Sequence, residues 1–216
     1  MDARDREKAD AAARAVAEVR SGMLVGLGTG TTAAHVVRAL GARVRDEGLR
    51  VRTVATSLRT ERLAIEEGLD LLDFSALASV DIAIDGADEI DPQRRAIKGG
   101  GGALFREKVV AASAARMIAV VDSSKLVEKL GRFPLPIEVV PFATTFVRER
   151  VRALGVEPVL RPAFTTDQGN VVFDLPFGAI DDPPALAERL RAIPGVLEHG
   201  LFLDEIDEVI AGHEFS

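Results

Sequence analysis

Four short stretches of this chain concentrate residues that could do chemistry. The first is Gly26-Leu27-Gly28-Thr29-Gly30-Thr31-Thr32, set between an apolar run and a helical pattern. Glycines let a backbone turn sharply and approach a ligand, and a helix start offers free amides to an anion. Threonine hydroxyls add donors. The pattern suits a phosphate cradle; the alternative is a tight turn with a helix cap. It is not a dinucleotide fingerprint. The third glycine of that motif would fall at Thr31, and no acidic residue ends the next strand near Ala55-Thr56.

The second stretch is Asp85-Gly86-Ala87-Asp88-Glu89-Ile90-Asp91. A calcium-hand loop fails here, because Ala83 falls at its third position and Pro92 at its twelfth. Close carboxylates can instead push each other's pKa values apart and form an acid–base pair. A solvated turn accounts for Glu89 and Asp91. It does not account for Asp85, which ends the apolar run Val80, Ile82, Ile84 and should be half buried.

The third stretch is Lys98-Gly99-Gly100-Gly101-Gly102, followed by Ala103-Leu104-Phe105-Arg106-Glu107-Lys108. Four consecutive glycines are costly to order and suit backbone that passes close to a ligand. Glu107 falls about one turn into the next helix, among Ala103, Leu104, Val110 and Ala111. Partial desolvation there would raise its pKa toward that of a general base. The alternative is a surface Glu paired with Arg106 or Lys108. The fourth stretch is Asp122-Ser123-Ser124-Lys125, where Lys125 is either a point charge for phosphate or a surface lysine.

The elements around these stretches read as alternating strands and helices. A helix is expected over 2–20, with Ala9, Ala12, Ala13, Val16 and Val19 on its apolar face. Strands follow at 23–27, 51–55, 69–72, 81–85, one ending at Ile97, and 117–121. Helices follow at 33–45, 60–67 and 103–115. This order implies a mostly parallel, Rossmann-like α/β sheet covered on both faces. All four stretches then follow strands, whose carboxyl ends line a crevice in such sheets.

Two prolines in Phe133-Pro134-Leu135-Pro136 mark a boundary. Beyond it come strand 137–140, helix 142–154, strand 156–161, a turn at 167–170, strand 171–175, helix 184–193 and strand 196–203. This is the β-α-β-β-α-β order of a ferredoxin-like unit. The expected domains are 1–132 with 203–216, and 133–202. The run Val209–Ala211 is expected to return to the first sheet.

Composition narrows the chemistry further. The 216 residues hold 27 Lys plus Arg against 34 Asp plus Glu, a net charge of −7. There is no Cys, so thiolate nucleophiles, disulfides and Cys-ligated metals are excluded. There is no Tyr or Trp, and the three His (His35, His199, His213) are far apart. Only five of the basic residues are Lys: 8, 98, 108, 125 and 129. The acidic balance argues against a nucleic-acid partner. No apolar run is long enough for a membrane span. The charged start MDARDREKAD lacks an apolar signal core, which leaves cytoplasmic residence as the expectation.

The stretches GLGTGTTAAH, DIAIDGADEID, IKGGGGALFREK, VVDSSK and GRFPLPIEVVP, in this order, resemble ribose-5-phosphate isomerase, type A. TDQGNVVFD and IPGVLEHGLF extend the resemblance through the second domain. It implies interconversion of D-ribose 5-phosphate and D-ribulose 5-phosphate through a cis-enediolate, with Glu107 as base. Asp85 would act on the ring oxygen. Lys98, Asp88 and the amides of Gly99, Gly100 and Gly101 would hold hydroxyls and stabilise the enediolate, with Gly86 and Ala87 lining the substrate between the aspartates. Thr29, Gly30, Thr31, Thr32 and Lys125 would grip the rest of the substrate. The resemblance implies no metal or organic cofactor, and a homodimer or dimer of dimers in which the small domain closes the cleft or builds the interface. Two readings from other classes are a sugar-phosphate-sensing module and acyl-CoA transfer through a Glu nucleophile.

Overall fold

The computed structural model describes residues 3–212, which leaves Asp2 and His213 outside. The chain divides into two units. The first takes the described parts of 1–87, 106–126 and 205–216. The second takes Asp88–Phe105 and Val127–Asp204.

In the first unit, six strands form one parallel sheet. They are β1 (Leu24–Leu27), β2 (Arg52–Ala55), β3 (Asp70–Leu71), β4 (Ile82–Asp85), β7 (Met117–Val121) and β13 (Glu208–Ala211). Their spatial order is β13-β7-β4-β1-β2-β3. This is a doubly wound order that reverses between β1 and β4, and ligands of such sheets bind outside the carboxyl ends at that reversal. β1, β4 and β7 are buried along their whole length, as parallel strands covered on both faces must be. The expected return of Val209–Ala211 is realised: β13 pairs with β7.

The first-unit helices are α1 (Ala3–Ala17), α2 (Thr31–Glu47), α3 (Leu58–Glu66) and most of α4 (Leu104–Ser113). α1 stops three residues short of the expected end. It buries Ala11, Ala12, Ala15 and Val16, while Ala13, expected on that face, is exposed. A run of alanines carries almost no periodic signal of its own, so the packed face is chosen by Val16 and the neighbouring α2. α1 and α2 enclose the core with Val25, Leu27, Ile82, Ile84, Ile118 and Val120. α3 begins at Ser57, whose hydroxyl accepts the Thr60 amide at 3.1 Å, a capping contact worth about 1 kcal/mol.

In the second unit, β8 (Leu135–Val139), β9 (Val159–Leu160), β10 (Val171–Leu175) and β11 (Val196–His199) form an antiparallel sheet in the order β11-β8-β10-β9. With α5 (Thr144–Arg152) and α6 (Pro183–Arg191) this gives the expected ferredoxin-like β-α-β-β-α-β order. β9 is shorter than the expected 156–161 strand. Pro158 and Pro162 bracket it and cannot donate to a ladder.

A third sheet was not expected. β5 (Glu89–Ile90), β6 (Ala96–Ile97) and β12 (Leu201–Phe202) pair antiparallel in the order β12-β6-β5. The expected strand 196–203 therefore breaks at Gly200. Its amide donates to Pro136 O at 2.8 Å and its carbonyl accepts from Lys98 N at 2.9 Å. One residue thus bridges two partners, and the chain leaves β8 for β6.

Candidate active site

In the first unit, the loop after β1 and the loop after β4 meet at the sheet's reversal point. Asp85 joins them. Its Oδ1 accepts the amides of Thr29 at 3.0 Å and Gly86 at 2.7 Å, and the residue is 4% exposed. A Cβ on Gly28 would lie 1.9 Å from the Asp85 Cγ and Oδ1. Only glycine lets the loop pass this carboxylate. Asp85 is thus amide-bound and fully buried, deeper than the half burial expected from its place after an apolar run.

The Gly–Thr loop is not a side-chain-capped helix start. Gly30 precedes α2 at φ 114°, and no side chain caps the helix. The first-turn amides therefore lack a side-chain acceptor, which favours an anion there. Thr29 is turned inward: its Oγ1 lies 2.8 Å from Thr56 Oγ1, 2.8 Å from Ser57 Oγ and 3.3 Å from Thr60 Oγ1. This hydroxyl knot braces the loop from behind. Thr31 is exposed and its hydroxyl accepts from Lys8 Nζ at 3.2 Å; Thr32 is half-buried beside Gly86.

Lys8 Nζ also lies 3.8 Å from Asp122 Oδ2. Sequence reasoning missed Lys8 as a member of this loop cluster. Its only signal was the scarcity of Lys. Asp122 caps the 3-10 turn Ser123–Lys125 by accepting Ser124 N at 3.1 Å, and half-buried Lys125 extends from that turn after β7.

Glu107 lies in the first turn of α4 and is 4% exposed. A solvent-exposed place for it does not hold, because the side chain is buried. The depth of α4 is set by Gly26. A Cβ there would fall 2.5 Å from Val110 Cγ1, so the helix rests directly on β1. α4 leads into β7, which is parallel to its neighbours, so it runs antiparallel to them. Glu107, one turn before Val110, is therefore displaced toward the strands' carboxyl ends by about 5 Å.

In the second unit, Lys98 follows β6 and is 2% exposed, with Nζ 5.3 Å from the Phe202 ring centroid. Gly100 N donates to Asp88 Oδ2 at 2.7 Å, and Gly102 N to Gly99 O at 2.9 Å. The Gly100 amide is thus engaged by Asp88. The Gly101 amide has no partner among the described residues. The glycine run is backed by Phe164, whose Cζ lies 2.1 Å from where a Cβ on Gly102 would stand.

Glu89 and Asp91 are not in a solvated turn. Glu89 is 1% exposed in β5, and its carboxylate accepts the amides of Gly131 and Phe133, each at 2.7 Å. Asp91 is 4% exposed and binds Arg95 Nε at 2.7 Å. Both are structural anchors, which leaves Asp85 and Asp88 as the candidates of the acidic stretch.

The family model described as ribose 5-phosphate isomerase A (phosphoriboisomerase A) matches residues 52–215. The chain belongs to the ribose 5-phosphate isomerase A family. The ribose-5-phosphate isomerase A of Sphingopyxis alaskensis is 56% identical over 208 residues, covering 94% of this chain and 91% of that protein. The solved ribose 5-phosphate isomerase A of Methanocaldococcus jannaschii superposes with a TM-score of 0.91 at 41% identity, covering 96% of this chain and 94% of that one. A D-ribose-5-phosphate isomerase solved in complex with phospho-erythronic acid superposes at 0.93 with 36% identity, over 97% of this chain and 94% of that one. No helix among the described residues is long and apolar enough to cross a membrane.

Proposed function

We propose that this member of the ribose 5-phosphate isomerase A family interconverts D-ribose 5-phosphate and D-ribulose 5-phosphate, with Glu107 as the proton-transferring base. The observation that carries this role is the burial of Glu107, 4% exposed, in the first turn of the helix after the glycine run. Desolvation makes a carboxylate a stronger base than it is in water. In the open-chain aldose, Glu107 takes the proton from carbon 2. The electron pair forms the carbon 1–carbon 2 double bond, and charge develops on the carbon 1 oxygen. Returning the proton to carbon 1, while the oxygen-2 proton passes to oxygen 1, gives the ketose. One carboxylate placed over both carbons serves both transfers.

The other roles follow from chemical type. Asp85, fixed by two amides, exchanges the proton that opens the furanose ring. Lys98 and Asp88 hold sugar hydroxyls, and buried Lys98 offers a weakly screened positive charge to the enediolate. The uncapped first turn of α2, with Gly30, Thr31 and Thr32, and half-buried Lys125 offer amides and charge to the phosphate. Self-association as a homodimer or dimer of dimers and residence in the cytoplasm belong to the same reading.

The direct test is formation of ribulose 5-phosphate from ribose 5-phosphate in the presence of EDTA. Sustained turnover supports the reading. A folded protein that binds ribose 5-phosphate without turning it over points instead to a sensing module.

A further inference from the structure

Arg161 follows β9 in the second unit and reaches the glycine run. Its Nη1 donates to Gly100 O at 3.1 Å and to Gly99 O at 3.3 Å. The other edge of the guanidinium is held by Asp174 on β10, Nε to Oδ2 and Nη2 to Oδ1, both at 2.7 Å. Asp174 pairs with Val159 across the sheet, and Arg161 stands two residues beyond Val159. The two side chains therefore leave the same face, and the fork is bidentate. Phe164, which backs Gly102, also lies 5.7 Å from the guanidinium carbon. Ala163 between them adopts φ 51°, a conformation that non-glycine residues adopt only when their surroundings enforce it.

Peptide planarity gives this contact a consequence at a distance. In a trans peptide the N–H points opposite to the preceding C=O. Turning the Gly99 carbonyl toward Arg161 sends the Gly100 amide the other way, where it meets Asp88 Oδ2 at 2.7 Å. Turning the Gly100 carbonyl toward Arg161 likewise sends the Gly101 amide away from it. One guanidinium thus fixes the direction of two successive amides and, through one of them, the carboxylate of Asp88. Its positive charge on the carbonyl side also polarises both peptides, which strengthens their N–H groups as donors.

We propose that Arg161, clamped by Asp174, is a positioning residue that aims and polarises the Gly101 amide toward the anionic intermediate of the isomerisation and, through the Gly100 amide, holds the Asp88 carboxylate in place. This rests on the isomerase reading above. Because the intermediate carries charge that the substrate lacks, the contribution falls on the chemical step rather than on substrate binding.

The test compares wild type, Arg161→Lys and Asp174→Asn, each at equal concentration of folded protein by circular dichroism. A lysine cannot grip Asp174 at two points and reach two carbonyls together. Arg161→Lys is expected to lower kcat by about 10–100-fold, with KM changed less than about threefold. Inhibition by phospho-erythronic acid, whose planar carboxylate resembles an enediolate in shape and charge, is expected to weaken in parallel with kcat. Asp174→Asn keeps the cation but loosens its aim, so it is expected to fall between the two. It carries the test alone if Arg161→Lys does not fold. Wild-type kcat in either folded variant, or a loss confined to KM, overturns the proposal. Failure of wild type to isomerise ribose 5-phosphate overturns the functional reading itself, a separate outcome.

Discussion

The carboxylate of Asp85 occupies the space that a side chain on Gly28 would fill, 1.9 Å from where the Cβ would stand. It also accepts the amide of Thr29 at 3.0 Å. The loop after β1 and the acid after β4 are therefore one construction, and neither can move alone. Gly28→Ala is expected to displace Asp85 and open the loop, lowering kcat/KM by at least about 100-fold, since small displacements of positioned groups are that costly. Gly86 is the contrast. A Cβ there would meet Thr32 Cβ at 3.5 Å, an ordinary contact. Gly86→Ala is expected to keep the wild-type urea midpoint, whereas Gly28→Ala lowers it.

Glu89 is expected to act on stability. Its two oxygens hold the amides of Gly131 and Phe133 in a site where the residue is 1% exposed. Glu89→Gln replaces one acceptor with a donor facing an N–H. A loss of about 1–3 kcal/mol is expected from leaving such a group unsatisfied. Urea unfolding with an unchanged m-value checks it.

The pair Arg152–Glu157 gives a pH-dependent term of known sign. Its contacts are 2.7 Å from Nε to Oε2 and 2.7 Å from Nη2 to Oε1. The hydrogen bond from Arg152 holds the Glu157 carboxyl below its ordinary value, and Arg152 is raised in turn. A depressed folded value stabilises above the ordinary glutamate pKa and is lost as pH falls through the folded value. Both groups are solvent-facing, so the effect is small and salt-sensitive. The wild-type advantage in thermal midpoint over Glu157→Gln is expected at pH 7, shrinking below pH 4 and in high salt.

Much of the first unit was legible because its strands are covered on both faces. Val120, Ile84 and Val25 sit in uninterrupted apolar runs that need no partner to be recognised. Asp85 was legible for the same reason: a carboxylate ending such a run has to be held by something. Glu89 was not, because its burial depends on amides at Gly131 and Phe133, more than forty residues away. The break at Gly200 was hidden in the same way, since β12 leaves β11's sheet only because β6 is there to receive it. Arg161 carried no local signal among 27 basic residues. Its meaning lies in the two glycine carbonyls that it reaches across the fold.

The most direct measurement of the central claim is turnover of ribose 5-phosphate by Glu107→Gln beside wild type, with ribose 5-phosphate binding followed by calorimetry. Removing the base while keeping the side chain's shape is expected to cost at least about 100–10,000-fold in kcat, with substrate still bound. A folded Glu107→Gln variant that turns over within tenfold of wild type would contradict the account.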